Sequence, residues 1–209
     1  MATFGVETGS SSTTRYIMIG GNLDYLFTGV GDTDGGQTSI HFNIGSNLNN
    51  GEWHHLVYVG DGSSGDYPSV YIDGVLKSHS GGTTNLFNSS TYLNVIGTGS
   101  TAAGRYFNGK ISNVSLFNEA LTSTEVMKLY SNGMPQDLST FTPAPVAWWT
   151  LGSNSFFNGS DFICKDLIGS NDGTSVNAGV DALVGNSPRS KANGTGTNMD
   201  IPTNLEGTT

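Results

Sequence analysis

Covalent cross-links and charged side chains are both scarce in this sequence. It contains a single cysteine, Cys164, which excludes an intrachain disulfide framework. Only 12% of the residues are charged, and eight basic side chains stand against seventeen acidic ones, so the formal net charge is −9. A chain this acidic is repelled by phosphate backbones. We therefore expect no nucleic-acid partner.

Long apolar runs are missing as well. No stretch approaches the roughly 20 residues that a bilayer-spanning helix needs, so we expect no membrane partner. The first fifteen residues also lack the basic start and the apolar core of a signal peptide. As an expectation, export would then follow another route, such as the lysis of a host.

Glycine is abundant instead, with 30 residues, and the chain is rich in Ser, Thr and Asn. This composition suits short strands joined by many turns and fits long helices poorly. The β-prone runs bounded by turn residues occupy positions 15–29, 38–46, 53–59, 69–78, 91–97 and 105–118. Their spacing predicts an all-β fold, an antiparallel β-sandwich.

Two local signals are specific. Asp73 and Gly74 lie between two β-prone runs, and this pair favours the tight hairpin turn that needs positive φ angles. Thr122, followed three residues later by Glu125, forms a capping box that predicts the start of a helix. Gly133 is placed to end this helix through a left-handed residue. The sequence thus predicts one hairpin turn and one short helix.

The paired histidines His54 and His55 raise the question of a metal or catalytic site. Consecutive strand residues point to opposite faces of a sheet, so neighbouring histidines on a strand do not easily chelate one ion. Trp53, on the same predicted strand, is expected to anchor the core rather than to form a sugar platform, because large aromatic side chains dominate cores. All three residues are predicted to be structural.

The composition divides the chain into four segments. Residues 1–134 form the predicted sandwich, and residues 135–146, with three prolines, are predicted to be an extended linker. Residues 147–186 contain further strand-like runs and a Ser-Asn-Asp-Gly turn. Residues 187–209 are polar and glycine-rich, which is typical of an extended arm that needs a partner surface or of disorder.

Several motifs of the first segment occur in an order known from one family. They are a Trp-His-His strand at 53–55, a Tyr-x-Asp-Gly hairpin at 71–74, an Asn-Gly-x-Ile strand at 108–111 and a helix ending in Leu129 and Tyr130. In this order they resemble the laminin-G-like, concanavalin A-like jelly-roll family over about residues 15–133. The resemblance implies a two-sheet antiparallel β-sandwich, a jelly roll with one short helix.

One segment departs from the family order. Family domains commonly open with a Trp-containing strand and an acidic turn, and nothing of that kind precedes Arg15. Residues 147–176 resemble such an opening but follow the helix. Either they complete the same or a neighbouring sandwich, as in a circular permutation or a strand swap, or the chain is an excerpt from a tandem array. The first alternative is favoured, because it gives the exposed sheet edges a partner.

A calcium site is one candidate for binding. Asp32 and Asp34 lie in a glycine-rich loop, where alternate carboxylates can supply the oxygen ligands that calcium takes. A solvated turn is the competing interpretation and the more frequent outcome for such short motifs. Asp61 and Asp66 form a second candidate of the same kind. Calcium is the sole cofactor that the sequence suggests.

A carbohydrate site rests on the family resemblance. Tyr71, Phe87 and Tyr92 lie near Asn, Ser and Thr residues, and the resemblance makes them candidates for sugar binding. The glucanases that share this architecture carry paired carboxylates on one strand, and none of the five glutamates here occurs in such a run. A Gly-x-Ser-x-Gly elbow and a phosphate-cradling loop are also missing from the sequence. We therefore expect no enzyme activity and no catalytic residues.

The sequence leaves two functions open. The first is a structural component of a bacteriophage virion, a capsid decoration protein or a head or tail fibre part. It would form a homo-oligomer, bind other virion proteins and contact host glycans. The acidity, the missing signal peptide and the extended ends favour it, and residues 129–152 resemble laminin-G-like proteins of marine phage particles. The alternative is a secreted, extracellular bacterial carbohydrate-binding or adhesion module assisted by calcium.

Overall fold

The structure is a computed structural model that describes residues 4–5, 18–22, 25–31, 37–43, 48, 50–60, 68–80, 95–96, 111–152 and 154–175. The strands are β1 (Phe4–Gly5), β2 (Met18–Asn22), β3 (Tyr25–Gly31), β4 (Gln37–Asn43), β5 (Leu56–Val59), β6 (Ser69–Ile72), β7 (Val75–Lys77), β8 (His79–Ser80), β9 (Val95–Ile96), β10 (Val114–Leu116), β11 (Ala147–Trp149), β12 (Ser155–Phe157), β13 (Phe162–Cys164) and β14 (Gly173–Thr174). The helices are α1 (Ser123–Tyr130) and two 3-10 helices, Ser131–Gly133 and Leu138–Thr140.

Every strand pair in the described part of the chain is antiparallel. Strands β2, β3, β4 and β8 form a four-stranded sheet in that order, and β5, β6 and β7 form a three-stranded sheet. Strands β12, β13 and β14 form another, while β1 pairs with β9 and β10 pairs with β11. The fold is therefore all-β with one short helix, as the sequence predicts.

The turn between β6 and β7 forms where the sequence predicts it. Asp73 and Gly74 have φ angles of 51° and 76°, the left-handed values that a tight primed turn requires at both positions. A Cβ atom on Gly74 would lie 2.6 Å from Sδ of Met127 and 3.0 Å from Cδ1 of Tyr130. The turn is therefore packed directly against α1, and glycine is needed there for its φ angle and for its size.

Helix α1 begins with the predicted capping box. The backbone N–H of Glu125 donates to Oγ1 of Thr122, and the backbone N–H of Thr122 donates to the Glu125 carboxylate at 2.7 Å. The helix ends at Tyr130, as the Leu-Tyr motif predicts, and thus three residues before Gly133. Ser131 is already left-handed with a φ of 41°, and Asn132 and Gly133 continue this conformation. Three consecutive left-handed residues, rather than the glycine alone, end the helix.

The segment 135–146, predicted to be an extended linker, packs on the rest of the molecule. Its 3-10 helix is capped by Asp137, whose carboxylate accepts from the backbone N–H of Ser139 at 2.9 Å. The side chain of Leu138 is 5% exposed, and Pro145 is buried as well. Composition alone conceals this packing, because three prolines dominate the segment. The segment returns the chain from α1 to the sheets.

The tryptophan-rich stretch that follows enters the sheets of the same chain. β11 pairs with β10 in the register Val114–Trp149, Ser115–Trp148 and Leu116–Ala147. The backbone N–H of Val146 also donates to the carbonyl of Leu116 at 2.8 Å, which continues the pairing. Such pairing is what completion of the sandwich by this segment requires.

Trp148 and Trp149 belong to different hydrophobic clusters, because consecutive side chains of a strand point to opposite faces. Trp148 joins the helix-side cluster, whose other buried members are Tyr71, Leu121, Val126, Leu129 and Leu138. Trp149 joins the C-terminal cluster, whose other buried members are Val114, Ala147, Leu151, Phe162 and Cys164. Strand β11 therefore contributes to both clusters and connects them.

Trp53 lies outside the core, contrary to the prediction. Its side chain is 59% exposed, and β5 begins at Leu56 rather than at residue 53. The prediction that Trp53 anchors the core is therefore wrong. The physical reason is that the Trp-His-His stretch precedes β5, so the alternation of side chains within the strand does not place Trp53 in the core. Within β5 itself, Val57 and Val59 pack against the helix-side cluster.

Candidate functional site

The Asp73–Gly74 turn and the Trp-His-His stretch meet at one end of the β5–β6–β7 sheet. The backbone N–H of Asp73 donates to the carbonyl of His55 at 2.9 Å. In return, the backbone N–H of His55 donates to Oδ1 of Asp73 at 2.8 Å. Backbone and side chain of one aspartate thus bind the same residue, which fixes the stretch beside the turn.

His54 connects this turn to Asn50. Nδ1 of His54 lies 2.8 Å from Oδ2 of Asp73, and Nε2 lies 3.1 Å from Oδ1 of Asn50. The backbone N–H of Glu52 donates to the same amide oxygen at 2.8 Å, which fixes the orientation of the amide. Both ring nitrogens of His54 therefore face side-chain oxygen atoms. We call Asn50, His54 and Asp73 the histidine–aspartate network.

His55 lies in a different environment from His54. Its ring centroid is 5.8 Å from that of Tyr130 on α1, and its Nδ1 is buried without a hydrogen-bond partner among the described residues. Burial lowers the pKa of His55, and the nearby Asp73 carboxylate opposes this shift only in part. The neutral ring therefore packs between the sheet and the helix, and the two histidines have separate roles.

Trp53 is the exposed aromatic residue next to the histidine–aspartate network. Both of its chain neighbours, Glu52 and His54, are held by hydrogen bonds to Asn50. An indole on a fixed backbone beside polar groups is suited to a ligand with an apolar face and a polar edge. Sequence reasoning missed this site because exposure depends on the absence of a packing partner, which no local motif encodes. In the sequence, the Asp73–Gly74 pair is the signal that indicates where this site lies.

A second polar cluster lies in the loop after β13. The Asp166 carboxylate, 7% exposed, accepts backbone N–H bonds from Trp148, Ile168, Gly169 and Asn171 and one from the Asn171 amide, at 2.9–3.2 Å. Burial by itself raises the pKa of Asp166, but these hydrogen bonds outweigh burial and the pKa is lowered. The carboxylate is occupied by the protein's own donors, so this cluster is structural.

The residues that the sequence proposes for ligand binding are mostly outside the described part of the chain. Phe87 and Tyr92, the sugar candidates, and Asp32 and Asp34, the calcium candidates, all lie outside the described residues, as does the second acidic loop. Tyr71 is described and is 8% exposed within the helix-side cluster. The described residues therefore do not test these sites, and the binding roles of all five residues stay predictions.

Within the described residues, no three His, Cys, Asp or Glu side chains converge to hold a metal ion. None of the helices among these residues is long and apolar enough to cross a membrane. Burial raises the pKa of the Cys164 thiol, although the Ser155 hydroxyl donates to its sulfur at 3.5 Å. The thiol is therefore in its unreactive, protonated form.

Antiparallel sheets with one short α-helix are the arrangement of a β-sandwich. Residues 2–127, more than half of the chain, match a laminin-G-type family model described as the concanavalin A-like lectin/glucanases superfamily. The chain belongs to this family and has its concanavalin A-like fold. The match begins earlier than the resemblance seen from residue 15 onward, and it includes β1, which pairs with β9.

No curated protein matches the chain significantly. A crystal structure of a fragment of an S-layer domain-containing protein from Clostridium thermocellum is 19% identical and covers 59% of this chain and 69% of that chain. Its TM-score is 0.28, and at this value the likeness supports no argument about function.

Proposed function

We propose that the chain is a carbohydrate-binding or adhesion module without enzymatic activity. One observation carries the proposal: more than half of the chain belongs to a family described by lectins and glucanases. Both of these classes bind carbohydrate. The exposed Trp53 beside a polar network gives this chain a surface of the corresponding chemistry.

A bacteriophage virion role, the first choice from the sequence, takes second place. The family match concerns a fold and a ligand class and carries no virion context. The pairing of β10 with β11 within one chain also removes the need for a neighbouring subunit at that position. Mass spectrometry of purified phage particles tests the virion role, and the chain present at high copy number would restore it.

The absence of catalysis is part of the proposal. Incubation of the purified full chain with soluble β-glucan, mannan, xylan and galactan, followed by a reducing-end assay, tests it directly. We expect no release of reducing ends above a boiled control. Time-dependent release that scales with protein concentration would instead assign the chain to the glucanase side of its family.

Binding itself is tested on a glycan array with the labelled full chain. We expect saccharide-dependent binding that a soluble form of the same saccharide competes away. The array is run with calcium and with a chelator, because a calcium-assisted site at Asp32 and Asp34 predicts loss of binding with the chelator. Failure to bind any saccharide in either condition would refute the proposed function.

A further inference from the structure

The indole of Trp53 has no assigned role in the fold, although the residues around it are held in place. We infer that Trp53 is the stacking platform of a subsite for a neutral pyranose ring, with Asn50, Glu52 and Asp73 as hydrogen-bonding groups at its edge. This inference rests on the proposed function and specifies where the saccharide binds. The sequence assigned none of these residues to ligand binding.

The exposure of Trp53 contrasts with that of the other tryptophans of this chain. Trp148 and Trp149 are 8% and 7% exposed, against 59% for Trp53. Trp149 also donates its Nε1–H to the carbonyl of Asn171 at 2.7 Å. Trp53 makes no hydrogen bond or ring contact with any residue that the structure describes. Because removal of indole surface from water is favourable, a ligand that covers this ring gains binding free energy.

The backbone on both sides of Trp53 is fixed. On one side, the backbone N–H of Glu52 is bonded to the Asn50 side chain, and Gly51 adopts a φ of 86°, which few other residues adopt. On the other side, His54 is held through both ring nitrogens. Because the backbone beside Trp53 is already fixed, binding costs little backbone conformational entropy, which favours affinity.

The polar side chains that bind the chain neighbours of Trp53 can also bind the edge of a sugar. The Asp73 side chain is 33% exposed and accepts two hydrogen bonds, whereas a carboxylate has about four acceptor positions, so it can accept from a hydroxyl. The amide nitrogen of Asn50 has two donors and no partner among the described residues. Glu52 adds a second exposed carboxylate. The subsite thus offers acceptors and donors around one apolar face.

Charge selects the class of saccharide. Two carboxylates lie at the subsite, and the chain carries a formal charge of −9. Uronates and sulfated sugars would be repelled, and both ring nitrogens of His54 are already engaged by Asp73 and Asn50. A neutral hexopyranose therefore fits the subsite better than an anionic sugar.

Tryptophan fluorescence of the full-length protein tests the inference. Trp53 is the accessible fluorophore of the three, so acrylamide should quench it selectively. The probes are dextran, mannan, laminarin and galactan as neutral polysaccharides and polygalacturonate as an anionic one. We expect the neutral polysaccharide that binds best to protect the accessible fraction from acrylamide. Trp53→Phe should abolish this protection signal, because the reporter is removed.

Binding constants of variants show whether Trp53 itself, rather than any exposed aromatic residue, binds the polysaccharide. Trp53→Ala should weaken binding of that polysaccharide at least about tenfold, whereas Trp53→Phe should retain most of the affinity because it retains a stacking face. Phe156→Ala is the matched control, since Phe156 is 47% exposed on β12 in a different sheet. It should bind like the wild type. Circular dichroism confirms that each variant is folded.

Each outcome decides between the two proposals. If the wild type binds a neutral polysaccharide and Trp53→Ala binds it equally well, the subsite is wrong and the proposed function stands. Unchanged quenching on binding, equal losses in Phe156→Ala, or binding of polygalacturonate alone would likewise overturn the subsite. If the wild type binds neither these polysaccharides nor the array, the proposed function itself fails.

Discussion

At the scale of single residues, two aspartates show how the number of donors decides what a carboxylate does. Asp166 accepts five hydrogen bonds from its own chain and is buried. Asp73 accepts two and stays one-third exposed. The first is saturated and holds a loop on β11, whereas the second retains acceptor capacity at the surface. The same residue type thus has a structural role in one place and is available to a ligand in the other.

Replacement of Asp166 tests its structural role. Asp166→Asn keeps one oxygen for Trp148, Ile168 and Gly169 but puts an NH₂ group against the two Asn171 donors, which then lose their acceptor and repel it. We expect the free energy of unfolding in urea to fall by about 2–4 kcal/mol. Asp161→Asn in the preceding turn is the control, and it should change stability by less than about 0.5 kcal/mol. Equal effects of both variants would show that the donors around Asp166 are not the cause.

His55 predicts a pH dependence of stability near neutrality. Its pKa is lowered in the folded state, so the unfolded chain binds more protons between the two values. The corresponding stability is fully present above the unfolded pKa of about 6.5 and is lost as the pH falls through it toward the folded value. Urea unfolding between pH 8 and pH 5 should therefore show a decline that His55→Phe reduces. An unchanged pH profile in His55→Phe would contradict this assignment.

At the scale of elements, the turn and the helix start were predictable from the sequence, whereas the burial of individual side chains was not. The Asp73–Gly74 turn and the Thr122–Glu125 capping box form as predicted, because each is specified by residues within one turn of chain. The exposure of Trp53 depends on whether another layer covers it, and sequence spacing does not contain that information. Segment 135–146 is a second example, because a composition with three prolines does not show that Leu138 is buried.

Contact between the hairpin turn and α1 is testable at Gly74. Gly74→Ala adds a methyl group that meets Met127 and Tyr130 and places alanine at a φ of 76°. We expect a loss of about 1–3 kcal/mol in the free energy of unfolding. Gly51→Ala is a matched control, since its φ is 86° and no atom lies within 4 Å of the added group.

The control separates backbone strain from packing. Gly51→Ala should show the strain alone, so Gly74→Ala should be the more destabilised of the two in urea. Addition of Met127→Ala to Gly74→Ala should recover part of the difference, because the flexible sulfur is then removed. A Gly74→Ala protein no less stable than Gly51→Ala would mean that the turn does not pack on the helix.

At the scale of the whole molecule, the family match and the structure extend over different lengths. The match ends at residue 127, whereas strands β11 to β14 follow it and pair with β10 and with one another. Through Trp148 and Trp149, β11 fills both the helix-side cluster and the C-terminal cluster. The hairpin that supports the candidate sugar subsite packs in the first of these clusters through Tyr71. Residues beyond the family match therefore stabilise the element that carries the site.

Hydrogen exchange with mass spectrometry on the full chain tests this account most directly. If β11 joins the two clusters into one cooperative unit, peptides that contain Ala147–Trp149 should exchange as slowly as those that contain Val114–Leu116. Both should lose protection together as denaturant is added. Exchange of residues 147–149 at the rate of an unstructured peptide, with residues 114–116 still protected, would contradict the account.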